Sequence, residues 1–456
     1  MTTTQPNILF IHSDQHRFDC VGRPLLHTPN LDRLAAEGVN FSHAFCPIPV
    51  CVPSRNSLIH GVWPSRHGVI ANWGTEAPFP DTSALPTFTQ ALRDGGYRLA
   101  HVGKWQVHPQ TGAHEYGFDL AISDRDYDAW RTAQGLPPTP HRNRWFGECD
   151  PGIAAEQTRI GWCAGQVIDL LQRQERPFFI QWDLREPHLP NVIPEPYYSL
   201  YPPEQIPPWP SFPDPLIGKP YMQAQQRRTW QIDRWTWADW APLVSRYLGC
   251  LSLIDAQIGR LLDALDELGL TSDTLVVYST DHGDLCGAHG MIDKHYVMYD
   301  DVVRVPLIAR WPERIAAGSR CDAFIAHGID LARTFCEVAR VKTPETFQGQ
   351  NLLALCKGEI EARQDIFATY CGNQFGLYSQ RMLRDRRWKY VWNATAEDEL
   401  YDLDGDPGEL HNRATDSACR EELRRLRHRL VAWMEEIGDP LLNGWTRTQL
   451  LEGLSV

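Results

Sequence analysis

The chain has 456 residues, of which 43% are hydrophobic and 22% are charged, a composition typical of a soluble globular protein. A chain of this length can bury a sizeable core and is expected to form one large unit plus a smaller one. Its net charge of -13 and its pI near 5.7 argue against nucleic acid as a partner, because a polyanion-binding surface needs a basic field.

The sequence indicates neither export nor a membrane span. The stretch MTTTQPNILFIHSD lacks a basic segment followed by a long apolar run, and no later stretch approaches ~18 uncharged apolar residues. The 12 cysteines are dispersed without a C-x-x-C pair, which argues against zinc knuckles and thioredoxin chemistry. We therefore expect a soluble cytoplasmic protein with mostly reduced cysteines.

Apolar runs and helical patterns alternate along most of the chain. The run from Asn7 to His12 predicts a buried strand, and TPNLDRLAAEG predicts a helix capped by Thr28 and ended by Gly38. The alternation continues through LPTFTQALRDGG and RLAHVG, through AAEQTRIGWCAGQVIDLLQRQ and PFFIQW, and through a helix around Pro242 to Leu268 before DTLVVYST. This order predicts an α/β fold with a large, mainly parallel sheet sandwiched by helices.

Two segments depart from this alternation. Residues 190–240 are rich in proline and tryptophan, which predicts an ordered loop on the surface or, alternatively, a wall of a substrate site. After about Arg363, short runs predict an antiparallel meander, followed by a charged helix from about Asp416 to Ile437. We therefore expect a large α/β domain of residues 1–364 and a smaller C-terminal α+β subdomain of residues 365–456.

Two predicted strands end in side chains that can bind a metal ion. FIHSDQ supplies Asp14 and Gln15, and VVYSTDHGD supplies Asp281 and His282. Because ligands bind outside the carboxyl ends of strands in open α/β sheets, these four side chains can converge on one divalent cation. The alternative is that each aspartate forms a turn or caps a helix.

Basic side chains cluster after other strands. Lys104 and His108 lie in HVGKWQVH, Lys294 lies beside His295 in DKHYVMYDD, and His188 follows the strand PFFIQW. Each lysine alone is explained by a helix cap or a solvated charge. Together they are typical of anchors for a tetrahedral oxyanion.

Cys51 lies in PVCVPSRNSLIHG with the spacing C-x-P-x-R. Such a cysteine can fill a core, act as a thiolate nucleophile, bind a metal, or be the precursor of a modified residue. A thiolate protease needs a histidine partner and an oxyanion hole, but it does not need a metal site built from Asp, Gln, Asp and His. The combination therefore points away from a protease.

Taken in order, these blocks resemble the formylglycine-dependent sulfatases of the alkaline phosphatase superfamily. The matching blocks are NILFIHSDQ, HTPNLDRLAAEGVNFSHAF, CVPSRNSLIHG, GYRLAHVGKW, PHLP, LIDAQIGRLLDAL, DTLVVYSTDHGD, DKHYVMYDD, and RWKYVWN with ELYDLDGDPGE. The resemblance implies that residues 1–364 form a catalytic domain. It also implies that a formylglycine-generating enzyme converts Cys51 to formylglycine, with Pro53 and Arg55 completing the recognition motif.

The resemblance further implies a nucleophile and a metal site. The nucleophile would be the hydrate of the formylglycine aldehyde, whose second hydroxyl can expel sulfate, whereas a thiolate would leave an adduct with no easy exit. A calcium ion would be held by Asp14, Gln15, Asp281 and His282, next to the modified residue 51.

Other roles follow from the same resemblance. Arg55 would steady the modified residue, and Lys104 and Lys294 would hold the sulfate. His188 would bind the substrate and donate a proton to the leaving alcohol. Asn72, which follows the nucleophile helix, would line the substrate pocket.

Three positions depart from the family's pattern. Gln15 stands where the family commonly has a second Asp, which removes a negative charge and can shift the metal preference toward Mn²⁺. Gln106 replaces the histidine of the usual GKWH, and because glutamine cannot act as a base, either His108 or another group takes its catalytic step. His60 replaces the threonine of the usual LTG, which weakens the motif read by the maturation enzyme.

We predict a sulfuric ester hydrolase that acts on a small sulfate monoester, either a sulfated sugar or an alkyl or aryl sulfate. The alternative is a phosphonate monoester or phosphodiester hydrolase of the same superfamily. A catalytically silent binding protein is disfavoured, because Cys51, Arg55, Asp14, Asp281 and both lysines are all present.

Overall fold

A computed structural model of the chain describes residues 5–73, 79–173, 175, 177–372 and 378–452. The predicted meander begins with residues 375–377, which lie outside the described residues, as do residues 1–4. Within the described ranges the strands are β1 (Asn7–Asp14), β2 (Val39–Phe41), β3 (Ala44–Phe45), β4 (Arg98–Gly103), β5 (Leu120–Ser123), β6 (Glu148–Cys149), β7 (Phe178–Pro187), β8 (Val192–Ile193), β9 (Thr274–Thr280), β10 (Arg304–Val305), β11 (Leu307–Arg310), β12 (Ser319–Cys321), β13 (Ile325–Ala326), β14 (Ile366–Tyr370), β15 (Gln380–Arg384), β16 (Trp388–Asn393) and β17 (Glu399–Asp402).

The α-helices of the same ranges are α1 (Pro29–Ala36), α2 (Cys51–His60), α3 (Pro64–His67), α4 (Phe88–Asp94), α5 (Tyr127–Ala133), α6 (Arg159–Arg173), α7 (Tyr221–Thr229), α8 (Trp237–Glu267), α9 (Asp300–Val303), α10 (His327–Val338), α11 (Leu352–Cys356), α12 (Arg420–Glu436) and α13 (Gly444–Glu452). Short 3₁₀ helices span Phe18–Cys20, Ala113–Tyr116, Asp124–Asp126, Arg144–Phe146, Ala155–Gln157, Pro203–Gln205, Thr271–Asp273, Ala288–Gly290 and Ser417–Cys419. None of the helices in the described part of the chain has the length and apolar character that crossing a bilayer requires.

The central sheet has eight strands in the order β12-β2-β11-β9-β1-β7-β4-β5. The strands β9, β1, β7, β4 and β5 run parallel to one another, which confirms the predicted mainly parallel sheet. β11, by contrast, is antiparallel to both of its neighbours, β9 and β2. The sheet is therefore mixed. The sequence does not predict the direction of β11, because an apolar run indicates burial but not the direction of a strand.

β1 lies in the middle of this sheet, and all eight of its residues are buried. Its side chains alternate between the two faces, as a strand requires. Ile8 and Phe10 belong to the core on the side of α10, whereas Leu9 and Ile11 belong to the core beneath α1, α6 and α8. Helices on both faces explain why the strand is a continuous apolar run.

Two helices start differently from the prediction. Thr28 precedes α1, but its side chain makes no cap hydrogen bond, and the carboxylate of Asp255 accepts the N–H groups of Asn30 and Leu31 instead. α8 begins at Trp237, ahead of Pro242, because Asp239 accepts hydrogen bonds from the N–H and hydroxyl of Thr236.

The C-terminal part is a four-stranded antiparallel sheet, β14-β15-β16-β17, with α12 packed against it. This arrangement confirms the predicted meander and charged helix. The sheet is tied to the large part by buried charges, since Lys389 Nζ lies 2.6 Å from carboxylate oxygens of both Asp300 and Glu409. The domain boundary between residues 364 and 365 stays a prediction.

Candidate active site

The candidate site lies at the carboxyl ends of four neighbouring parallel strands, β9, β1, β7 and β4. Asp14 is the last residue of β1, and Asp281 directly follows β9. His188 directly follows β7, and Lys104 directly follows β4. The sheet topology therefore brings together residues that are up to 267 positions apart along the chain, as the strand-end rule predicts.

Cys51 is the first residue of α2, at the end of that helix which faces the strand ends. The preceding Val50 has no side chain that can cap the helix, and Asn72 Oδ1 accepts the N–H of Val52 at 3.0 Å. α2 ends at Gly61, whose left-handed backbone, with φ of 63°, suits glycine. Asn72, predicted to line the substrate pocket, thus also orders the start of the helix that carries Cys51.

Asp14, Cys51, Asp281 and His282 form one buried cluster in which the potential ligand atoms all lie within 4.8 Å of one another. The Sγ atom of Cys51 is 3.2 Å from His282 Nε2 and 3.8 Å from Asp14 Oδ1. The side chain at position 51 therefore points into the cluster and not into the apolar core.

His282 presents a lone pair to this cluster. Its Nδ1 lies 2.9 Å from the carbonyl oxygen of Gly283, which can only accept, so Nδ1 carries the proton and Nε2 is free to act as a ligand. Burial lowers the pKa of His282, although Asp281 acts in the opposite direction, and the imidazole stays neutral. Two carboxylates and one oriented imidazole are a donor set that fits a divalent cation.

Arg55 lies one turn after Cys51 on α2 and connects three buried carboxylates. Its Nε donates to Asp281 at 3.1 Å, one terminal nitrogen donates to Asp183 at 2.7 Å, and the other lies 3.4 Å from Asp14. The predicted motif arginine therefore touches both carboxylates of the cluster.

Asp183, in β7, is a site residue that the sequence analysis missed. Its carboxylate accepts hydrogen bonds from Arg55, from His12 Nδ1 and His101 Nε2, each at 2.8 Å, and from Gln181 Nε2 at 2.7 Å. Burial alone would raise the pKa of Asp183, but Arg55, His101 and His12 hold it well below its usual value. Its signal in the sequence is a carboxylate after the buried run PFFIQW, the same pattern that identified Asp14.

Lys104 contacts the cluster directly, because its Nζ is 2.5 Å from Asp14 Oδ2. Burial would raise the pKa of Asp14, yet the charges of Lys104, His188 and Arg55 hold it well below its usual value. Asp14 is therefore an anion with its charge directed into the cluster.

Lys294 is buried, so it is not a solvated surface charge. Its Nζ donates to Gln15 Oε1 and to His188 Nε2, each at 3.0 Å, and lies 3.1 Å from Asp293 Oδ1. Burial disfavours its charged form, but Asp293, helped by the negative charges of Asp14 and Asp281, raises the pKa of Lys294 above its usual value. His188 Nδ1 faces the carbonyl oxygen of Leu189 at 2.7 Å, so its Nε2 is an acceptor in this arrangement.

The amide of Gln15 is engaged by charged neighbours. Its Nε2 donates to Asp284 at 2.8 Å and to Asp293 at 3.1 Å, while its Oε1 accepts from Lys294. Burial and the charge of Asp293 raise the pKa of Asp284 to about 7. Asp284 and Asp293 were not predicted as site residues, and metal ligation by Gln15 stays a prediction.

His108 lies apart from the cluster. Its Nδ1 accepts the N–H groups of Gln110 and Thr111, each at 3.1 Å, and its ring packs edge-on against Phe79. Gln106, which stands at the expected histidine position, has a buried Oε1 with no hydrogen-bond partner among the residues that the structure describes. A catalytic role of His108 stays a prediction.

Comparisons with known proteins identify two family models that match this chain. The family model described as Sulfatase matches residues 6–341, and the model described as N-sulphoglucosamine sulphohydrolase, C-terminal, matches residues 287–436. An arylsulfatase of Clostridium perfringens is 27% identical, over 99% of this chain and 98% of its own. An N-acetylglucosamine-6-O-sulfatase of Bacteroides thetaiotaomicron is also 27% identical, over 90% of this chain and 83% of its own.

Among solved structures, the phosphonate monoester hydrolase of Agrobacterium radiobacter superposes with a TM-score of 0.83 at 25% sequence identity. The superposition covers 95% of this chain and 96% of that one. The likeness therefore extends over the central sheet and the C-terminal part together.

Proposed function

Since this chain belongs to the sulfatase family and is a hydrolase acting on sulfuric esters, we propose that it cleaves a small sulfate monoester by means of formylglycine formed from Cys51. The observation that carries the proposal is the position of Cys51 Sγ, 3.2 Å from His282 Nε2 and 3.8 Å from Asp14 Oδ1. This sulfur stands in for the hydroxyl oxygens of the hydrated aldehyde. The substrate class comprises sulfated sugars and alkyl or aryl sulfates.

Asp14, Asp281 and His282 are the residues that would hold the divalent cation, with residue 51 beside it. Oxygen-rich donor sets suit Ca²⁺, and Mn²⁺ is the alternative because carboxylate oxygens also suit it. A bound cation would neutralise charge on the sulfate oxygens and lower the pKa of the attacking hydroxyl.

The hydrated aldehyde would supply one hydroxyl that attacks sulfur and a second that loses its proton as sulfate departs, so that ester and water give alcohol and hydrogensulfate. Arg55 orients the site for this chemistry, because it holds the carboxylates of Asp14 and Asp281 in place. Lys104 contacts Asp14 and Lys294 contacts Gln15, and both lysines would bind the sulfate oxygens.

His188 would donate the proton to the leaving alcohol as the S–O bond breaks. The 3.0 Å hydrogen bond from Lys294 Nζ to His188 Nε2 holds the imidazole beside the lysine that would bind the sulfate.

The experiment that tests the proposal has two readouts. Protein co-expressed with a formylglycine-generating enzyme is digested, and mass spectrometry measures the fraction of Cys51 converted to the aldehyde. The same protein is assayed on 4-nitrophenyl sulfate. We expect turnover to rise with the converted fraction and to vanish in Cys51→Ala, while Cys356→Ser, which changes an exposed cysteine, keeps it. Turnover by unconverted protein would contradict the proposal.

The second candidate is phosphonate monoester or phosphodiester hydrolysis, supported by the likeness to the Agrobacterium hydrolase at a TM-score of 0.83. A matched pair, 4-nitrophenyl sulfate and 4-nitrophenyl phenylphosphonate, shares one leaving group and separates the two functions. We expect the larger kcat/KM on the sulfate. Phosphonate turnover that exceeds sulfate turnover by orders of magnitude would replace the first candidate with the second.

A further inference from the structure

A cavity of about 550 Å³ opens beside the candidate site. Lys104, Gln106 and His188 all line it, and Lys104 and His188 are also in contact with the site through Asp14 and Lys294. The volume is typical of a pocket for a small molecule. The cavity is therefore placed to receive the part of a substrate that lies beyond the bond to be broken.

The lining of this cavity is strongly basic, with five lysine and arginine side chains against two carboxylates. Both carboxylates already form ion pairs with arginines. Asp150 receives two hydrogen bonds from Arg131, at 2.6 and 2.8 Å, and Glu186 is bound by Arg159 at 3.0 Å. Neither carboxylate is left to attract a cationic ligand.

The two carboxylates are also more deeply buried than two of the arginines that line the cavity. Asp150 and Glu186 are only 3% and 8% exposed, whereas the side chains of Arg159 and Arg185 are 29% and 40% exposed. Arg185 is held from behind by Asp124, which is buried and does not line the cavity. A ligand in the cavity therefore meets more of the surface of Arg159 and Arg185 than of the two carboxylates.

Arg144 adds an uncompensated charge. It is exposed, lines the cavity, and has no ion pair among the residues that the structure describes. The next residue, Trp145, also lines the cavity and is 51% exposed, which offers a flat aromatic face for a ring.

We propose that this cavity binds the alcohol part of the substrate and that this alcohol carries a second anionic group, a carboxylate or a sulfate. The inference rests on the proposed function and narrows its substrate class. Arg144 and Arg185 bind the second anion, and Trp145 packs on the ring between the two charges. Cationic alcohols are rejected, because both carboxylates that line the cavity are already paired with arginines.

The test compares three aryl sulfates that differ only in the para substituent of the leaving phenol. The groups are carboxymethyl, its methyl ester and trimethylammoniomethyl. We expect kcat/KM for the carboxylate to exceed that for the ester by about tenfold, and the ammonium compound to be the poorest. Equal values for the three, or a preference for the ammonium compound, would overturn the inference.

Substitutions of two arginines test which side chains cause the preference for the carboxylate substrate. We expect Arg144→Gln and Arg185→Gln to lower kcat/KM for the carboxylate about three- to fivefold each and to leave the ester unchanged. Arg142→Gln is the matched control, because Arg142 is exposed in the same loop but does not line the cavity. Equal effects on acid and ester would overturn the assignment of these arginines.

A binding measurement separates this inference from the proposed function. Cys51→Ala protein is titrated with 4-hydroxyphenylacetate and with its methyl ester, and calorimetry measures both affinities. We expect tighter binding of the acid in this variant and the loss of that difference on adding Arg144→Gln. If none of the sulfates is hydrolysed, the proposed function fails, while the calorimetry still supports or overturns the anion site.

Discussion

The guanidinium of Arg55 donates to Asp183 Oδ1 at 2.7 Å, and the same carboxylate oxygen lies 2.8 Å from His12 Nδ1. Asp183 thus holds one nitrogen of the guanidinium in place, while the other nitrogens of Arg55 face Asp281 and Asp14. The position of the cluster that surrounds Cys51 depends on a carboxylate that does not itself belong to it.

We therefore predict that Asp183→Asn destabilises the protein. The substitution leaves Arg55 buried with less compensating charge, which costs about 3 kcal/mol in the free energy of unfolding. Urea titration measures this loss. Asp404→Asn is the control, because its side chain is 74% exposed and its change is expected to stay within about 0.5 kcal/mol. Equal stability of the two variants would contradict an anchoring role for Asp183.

A second prediction concerns the metal. Calcium added to chelator-treated protein is expected to raise the midpoint of thermal unfolding, because binding to the folded state alone stabilises by about 2.7 kcal/mol at one hundred times the Kd. His282→Ala is expected to reduce this shift, since it removes one of the clustered ligand atoms. Asp263→Asn, at an exposed carboxylate, serves as the control. A shift that survives His282→Ala unchanged would place the calcium elsewhere.

A third prediction distinguishes two roles of Asn72. Because its Oδ1 accepts the N–H of Val52, Asn72→Ala is expected to cost about 1 kcal/mol of stability and to lower kcat through misplacement of residue 51. Asn72→Asp keeps an oxygen acceptor and is expected to restore both. Urea titration and steady-state kinetics measure the pair. A rise in KM with unchanged stability would instead favour the predicted contact with substrate.

A fourth prediction concerns acid sensitivity. Burial lowers the pKa of His60 to about 4, so between pH 6.5 and about 4 the unfolded chain binds a proton there that the folded protein does not. The contribution of neutral His60 to the free energy of unfolding is fully present above pH 6.5 and is lost as the pH falls toward about 4.

The matched variants are His60→Gln and His411→Gln, the latter at an exposed histidine. His60→Gln is expected to flatten the fall of unfolding free energy with decreasing pH by up to about 1.4 kcal/mol per pH unit, and His411→Gln is expected to leave it unchanged. Parallel pH profiles for wild type and His60→Gln would show that burial of His60 does not govern the acid response.

The sequence predicts those parts of the site that follow from position along a strand. Asp14 and Asp281 were found because polar residues after buried parallel strands meet at one edge, and Cys51 because its motif is local. Asp183 and its histidine partners were not found, since His12 and His101 come from separate strands and converge with Arg55 only in the folded sheet.

Other features depend on tertiary context in the same way. The direction of β11 is set by its neighbours and not by its own apolar run. The cap of α1 comes from Asp255, more than two hundred residues away, and no local pattern identifies it. The cytoplasmic location and the domain boundary stay predictions.

The burial of Cys51 determines whether its modification can occur before or after the chain folds. Only 1% of this residue is exposed, and the helix that begins with it is wholly buried. A macromolecular catalyst cannot reach such a thiol, so the oxidation proposed for it must act on the nascent or unfolded polypeptide. A molecule that folds with the thiol intact is thereby locked in its immature form until it unfolds again.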